Sequence, residues 1–204
     1  RLEDLAHLGP HGAPPHVVMD ALAAAALARA HGVDQAAVRD GLRAHRAGAH
    51  RSVEVGAIDG IPYVNDSKAT NPDAARASLA AAESVVWIAG GDTKGADLED
   101  LVRAVAGRLR AVVLLGADPE PFHEVLLRHA PDVPVRIPGP GDTGTHEERA
   151  ALMGAAVSEA AALARSGDVV LLAPAAASID QFADYAERGD LFAQAVRERE
   201  GDTA

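Results

Sequence analysis

The sequence predicts an α/β fold: a mostly parallel sheet with helices on both faces, preceded by two helices. Three observations predict it. From residue 61 onward, short apolar runs alternate with longer Ala-rich runs, the pattern of parallel strands joined by crossover helices. Two short alternating runs flank Asp59-Gly60, a hairpin signal. The first 45 or so residues carry helical periodicity and breakers but no strand-like run.

In order, residues 1 to 15 read as loop, with Gly9-Pro10, Gly12 and Pro14-Pro15 as breakers. Val17 to Ala30 is almost continuously apolar and reads as a buried helix ending at His31-Gly32. Asp34 to His45 reads as a second helix, with Asp34 as N-cap and Val38 and Leu42 one turn apart. A linker at 46 to 50 sets a domain boundary, giving regions 1–48 and 49–204. Ser52 to Ile58 and Ile61 to Asn65 read as a hairpin. Helices are then expected at 73–82, 98–109, 121–129, 147–165 and 191–199. Strands are expected at 85–89, 111–115, 133–137 and 169–173. Thr145 and Glu148 form a capping-box pattern before the longest helix.

Composition narrows the function. The chain has 204 residues, 48% of them hydrophobic, which is enough for a substantial core. Its net charge of −11, with no basic stripe, argues against nucleic acid as a partner. No apolar run approaches the ~20 residues of a membrane span. The absence of Cys excludes disulfides and thiolate metal sites, and fits a cytoplasmic protein. The chain opens at Arg1 without a signal-peptide pattern, and the expectation is a piece of something longer.

The densest chemistry lies in Asn65-Asp66-Ser67-Lys68-Ala69-Thr70-Asn71-Pro72, between a strand and a helix. Such a turn sits at the carboxyl edge of an open sheet, where ligands bind. Thr70 or Asn71 suits the N-cap and Pro72 the first helical position. The helix start offers unpaired N–H groups to an anion. Gly90-Gly91-Asp92-Thr93-Lys94-Gly95 also follows a strand; it suits an anion held by Lys94 as well as an ordinary Gly-rich connection. Ser178, after Pro174-Ala175-Ala176-Ala177, suits a ligand hydroxyl or a helix N-cap. Arg51, beside His50, suits a phosphate or a solvated linker. Gly139-Pro140-Gly141-Asp142-Thr143-Gly144 matches a dinucleotide fingerprint literally. The acidic residue that should close the next strand is missing, so the segment reads as a plain loop. His146-Glu147-Glu148 lacks the second His of a zinc helix, and no Gly-x-x-x-x-Gly-Lys-Ser/Thr phosphate loop occurs.

Together these segments resemble the Mur ligase family, and within it the D-glutamate-adding type. The resemblance is carried by His50-Arg51, Asn65 to Pro72, Lys94-Gly95-Ala96-Asp97, Pro174 to Tyr185 and Arg188-Gly189-Asp190. It implies that residues 1–48 are the helical tail of a central ATP-binding domain. It implies that 49–204 are a carboxyl-terminal Rossmann-like domain that receives the amino acid. It further implies an ATP-dependent, ADP-forming ligase of peptidoglycan synthesis. That enzyme joins D-glutamate to UDP-N-acetylmuramoyl-L-alanine through an acyl phosphate, with Mg2+ held outside this chain. The 204-residue chain alone would then be inactive.

By the same resemblance, Lys68, Thr70, Lys94, Ser178, Ile179 and Tyr185 would bind D-glutamate. Arg51, Asp66 and Lys68 would face the nucleotide. No catalytic residue and no metal ligand is assigned within the chain. Its partners would be D-glutamate, ATP and, through a missing domain, the UDP-sugar; a monomer without membrane insertion is expected. Two departures stand out. The family's His-Asn-x-x-Asn is His16-Val17-Val18-Met19-Asp20 here, and Val17 cannot make an amide contact to adenine. The family's Pro-Ala-Cys-Ala-Ser is Pro174 to Ser178 with Ala176 in place of Cys. The competing reading is a stand-alone, non-catalytic Rossmann-like module for a nucleotide or an acidic metabolite.

Overall fold

The computed structural model describes residues 2–8, 13–46, 48–139 and 143–202. The breakers at 9–12 and part of the 139–144 loop lie outside them. The chain forms two compact units, Arg1–Ala49 and His50–Ala204.

The first unit is helical. A 3-10 helix, Leu2–Leu8, occupies a stretch expected to be loop. It precedes α1 (Pro15–Ala30) and α2 (Gln35–Ala44). Asp34 caps α2 by accepting from the N–H groups of Ala36 and Ala37 at 2.8 and 3.0 Å. A small cluster of Leu5, Leu8 and Ala21, flanked by Val17, Val18 and Leu42, fills its interior. The expectation of a buried α1 fails: only Ala21 is buried, while Met19, Leu22 and Leu27 are exposed. An apolar composition states what a helix would bury, and its neighbours decide whether it does.

The second unit is built on a six-stranded sheet among the described residues, in the order β1-β2-β6-β3-β4-β5. The strands are β1 (Val53–Ile58), β2 (Ile61–Asn65), β3 (Val85–Gly90), β4 (Leu109–Leu115), β5 (Val135–Arg136) and β6 (Val169–Leu172). β1 pairs with β2 antiparallel, as the hairpin signal requires, and the other pairings are parallel. Asp59 and Gly60, at φ 52° and 76°, both take the left-handed conformation of a tight two-residue turn.

Alternation across β3 explains why its run is unbroken in sequence. Val85, Trp87 and Ala89 face a core shared with α3 (Pro72–Leu79), α4 (Glu99–Val105) and α5 (Glu120–His129). Val86 and Ile88 face a second core shared with α6 (His146–Leu163) and α7 (Tyr185–Asp202). A strand covered on both faces has no polar side to show. Residues 106–109, expected to finish α4, instead form a 3-10 turn and the first residue of β4. β5 is shorter than expected, and α7 begins six residues earlier than expected. The predicted capping box of Thr145 and Glu148 forms at α6.

Candidate binding edge

β2, β6 and β3 lie side by side and run parallel, so their carboxyl ends share one edge. Chain reversal occurs there: β3 leads outward to β4, while β6 lies on its other side. That is the switch point at which open α/β sheets bind ligands. The three connections at that edge carry Lys68 and Thr70, Ser178, and Lys94 respectively.

Backbone hydrogen bonds knit the connections together. The Ala175 N–H donates to the Ala69 carbonyl at 2.9 Å. Asp92 and Ala177 exchange two bonds, at 2.9 and 3.0 Å. The close approach of Gly91 to the Ala177 carbonyl leaves no room for a Cβ, which is the reason for glycine there. Ser178 is thereby fixed one residue from Asp92, and Lys94 two residues beyond it. Lys94 is exposed and left-handed, at φ 52°, with its N–H bonded to the Asp92 carboxylate at 2.8 Å. A non-glycine residue held there is a strain of the kind found at ligand clamps.

Lys68 is half-buried. Its ammonium donates to the Tyr185 hydroxyl at 3.1 Å and lies 4.3 Å from the ring centroid. Tyr185 opens α7, and its ring also meets the His50 ring edge-on. Thr70 is half-buried, with its N–H on the Lys68 carbonyl. Asn71, not Thr70, caps α3, accepting from the Ala74 N–H at 2.9 Å, and Pro72 takes the first helical position. Ser178 is buried, and the helix-cap reading for it fails. Its carbonyl accepts from the N–H groups of Gln181 and Phe182 in a turn, and Asp184 caps α7 instead. Ile179 is exposed.

Arg51 is exposed between two strained residues, His50 and Ser52, at φ 62° and 51°. The strained turn is anchored to the same edge. The His50 carbonyl accepts from the Lys68 N–H, and the Ser52 N–H donates to Asp66 at 3.2 Å. Asp66, expected to face the nucleotide, is buried and also accepts from the Ser78 hydroxyl. Its carboxylate is thus committed to joining the Arg51 turn to α3.

Three residues given no role from sequence prove central. Asn65 makes three of the four bonds open to its amide: its NH2 donates to His50 Nδ1 and the Gly189 carbonyl, and its oxygen accepts from the Ser67 N–H. Arg188 is fully buried beneath the edge and bonds Ser67 and Ala176. Gly189 abuts the His50 imidazole so closely that a Cβ would collide with it. All three lie in segments that carry the family resemblance, but nothing in the sequence showed that they join one another.

Such an edge, with its connections meeting at the switch point, defines an open α/β domain of the kind that binds ligands at the carboxyl ends of its strands. Comparison with known proteins narrows this. Residues 50–176 match the family described as "Mur ligase, glutamate ligase domain". The chain belongs to the Mur ligase family. It is 58% identical to the UDP-N-acetylmuramoylalanine--D-glutamate ligase of Streptomyces avermitilis over 92% of its length. It is 56% identical to the same-named ligase of Streptomyces coelicolor over 96% of its length. It spans 38% and 40% of those two relatives. Among solved structures, MurC of Thermotoga maritima aligns with TM-score 0.59 at 17% identity, covering 94% of this chain and 39% of that one. MurF of Acinetobacter baumannii aligns with TM-score 0.57 at 19% identity, covering 92% and 38%. Those two likenesses speak for the fold alone.

Proposed function

We propose that this chain is the carboxyl-terminal part of an ATP-dependent ligase that joins D-glutamate to UDP-N-acetylmuramoyl-L-alanine. The observation that carries the reading is the grouping of Lys68, Thr70, Lys94 and Ser178 on three adjoining connections at one sheet edge. Two ammonium groups and two hydroxyls suit a small dicarboxylate. The names of the curated relatives agree with it.

In that reading Thr70 and Lys94 hold the side-chain carboxylate of D-glutamate. Ser178, the backbone at Ile179 and Tyr185 hold the other end. Arg51, exposed on its strained turn, reaches for the ATP phosphates, with Lys68 between nucleotide and amino acid. Asp66 faces the ribose only by giving up bonds it now makes within the chain. ATP converts the muramoyl-alanine carboxylate to an acyl phosphate. The D-glutamate amine then attacks that carbonyl and phosphate leaves. The contribution of this domain is to position the amine, which alone accounts for large rate factors. Among the described residues no group of three His, Cys, Asp or Glu could hold Mg2+. The metal would be held elsewhere in the ligase, and no step here is routed through it. Among the described residues no helix is long and apolar enough to cross a membrane, and a cytoplasmic site of action fits ATP as co-substrate.

Titration of the chain with D-glutamate by NMR or calorimetry tests the reading. Binding should weaken about ten-fold or more in Lys94→Ala, the loss expected when a charged partner of a carboxylate is removed. Preferential binding of NAD, or D-glutamate binding indifferent to Lys94, would overturn it.

A further inference from the structure

Arg188-Gly189 has no ligand role in the reading above, yet it occupies the middle of the site's foundation. The Arg188 side chain is 1% exposed. Its Nε donates to Ser67 Oγ at 3.0 Å and its Nη2 to the Ser67 carbonyl at 2.9 Å. Both Nη1 and Nη2 donate to the Ala176 carbonyl at 3.3 Å. Ser67 Oγ in turn donates to the Tyr185 carbonyl at 2.7 Å, closing the circuit onto the first residue of α7. Each of these acceptors is uncharged.

The geometry has a direct consequence. Ser67 immediately precedes Lys68, and Ala176 lies two residues before Ser178. One guanidinium therefore ties the β2 connection to the β6 connection from below. We infer that Arg188 is a positioning residue of the amino-acid site: it sets the spacing between Lys68 and Ser178 without touching the ligand. The inference rests on the D-glutamate reading for the identity of the ligand, but not for the tie itself.

Lysine cannot replace it. A planar fork with five donors can hold two connections at once, whereas an ammonium radiates three donors from one atom. The cost of the arrangement shows in the ionisation of the group. Burial pushes the Arg188 guanidinium down to about 9, with Asp180 pulling the other way. It remains charged at neutral pH and adds positive potential beneath a site for a diacid.

The test uses Arg188→Lys and Arg188→Gln in the 204-residue chain, read by residue-resolved amide hydrogen exchange and by D-glutamate titration. Exchange at the Ala69, Ala175 and Ala177 amides should quicken about ten-fold or more while β4 keeps its protection, because local and global opening are separable. D-Glutamate affinity should fall about ten-fold, the scale of a charge-assisted bond, and lysine should not restore it. Uniform loss of protection across β3, β4 and β6 would overturn the inference, since Arg188 would then only add to global stability. So would unchanged exchange in the connections. If either variant fails to fold, Ser67→Ala, which removes one arm of the tie, should show the same selective quickening; its absence there would also overturn the inference. Selective quickening in a chain whose unmutated form binds no D-glutamate would uphold the tie and refute the ligand assignment.

Discussion

The two ends of the parallel sheet handle buried charge in opposite ways. At the amino end, Asp168 is 2% exposed and fully partnered. It accepts from Ser84 Oγ at 2.6 Å, Arg110 Nε at 3.1 Å and the Arg165 N–H at 2.8 Å. Those groups immediately precede β3, lie in β4 and precede β6, so one carboxylate bolts three strand starts together. At the carboxyl end, Arg188 is buried against neutral oxygens only, and the backbone around it is strained at His50, Ser52, Lys94 and Ala175. The amino end is arranged for stability. The carboxyl end holds strain and a buried cation whose direct hydrogen bonds go to neutral oxygens, with Asp180 acting on it only at longer range.

Substitutions at each end should separate these roles. The largest effect on stability is expected for Asp168→Ala, which leaves Ser84 and Arg110 without their shared acceptor. Unfolding by urea should show a loss of about 3 kcal/mol, with D-glutamate affinity unchanged. Equal loss of affinity would erase the distinction between the ends. Next comes Gly189→Ala, which forces the His50 ring aside. A destabilisation of about 2 kcal/mol is expected from overpacking, and nucleotide affinity should fall with it as the Arg51 turn shifts.

Acid provides a third comparison. Burial opposes ionisation of Asp168, but hydrogen bonds from Ser84, Arg110 and the Arg165 backbone prevail and hold its carboxyl below the usual range. Its lowered value contributes stability above the unfolded pKa of about 4, and that contribution is lost as pH falls through the folded value. Acid unfolding followed by circular dichroism should therefore depend less on pH below about 4 in Asp168→Asn than in the native chain. Asn71→Ala should cost about 1 kcal/mol through loss of the α3 cap. Its effect should fall on the Thr70 connection, seen as faster exchange there. The smallest change is expected for Tyr185→Phe. The ring still faces the Lys68 ammonium, so stability should move by less than about 1 kcal/mol. Lys68 loses its hydroxyl acceptor, and D-glutamate affinity should fall about three-fold.

Parts of the site were legible because they depend on neighbours in sequence. Asn71 and Pro72 announced a helix start, Asp59-Gly60 a hairpin, and Thr145 with Glu148 a capping box. Each involves contacts within a few residues. The start of α7 was not legible: the closing helix was expected only from residue 191, whereas it begins at Tyr185. Gly189 is tolerated inside a helix because the His50 ring, 139 positions earlier in the chain, packs where a side chain would be. α1 and α6 show the same limit. Both are Ala-rich, yet α6 buries Leu152, Met153, Ala156, Val157 and Ala160 against the sheet while α1 buries Ala21 alone. The bonds of Asp66 to Ser52 and Ser78 could likewise be seen only when all three were placed.

The sequence by itself determined the order of strands and helices, the caps and turns between them, and the residue types available at the sheet's carboxyl edge. These follow from local backbone preference and from period. Only the tertiary structure decided that the connections carrying Lys68, Ser178 and Lys94 adjoin, because strand order brings β6 between β2 and β3. It alone decided that Arg188 lies beneath them. A charge in a helix carries no sign of its burial until the segments that supply its acceptors, 12 and 121 residues away, have folded around it.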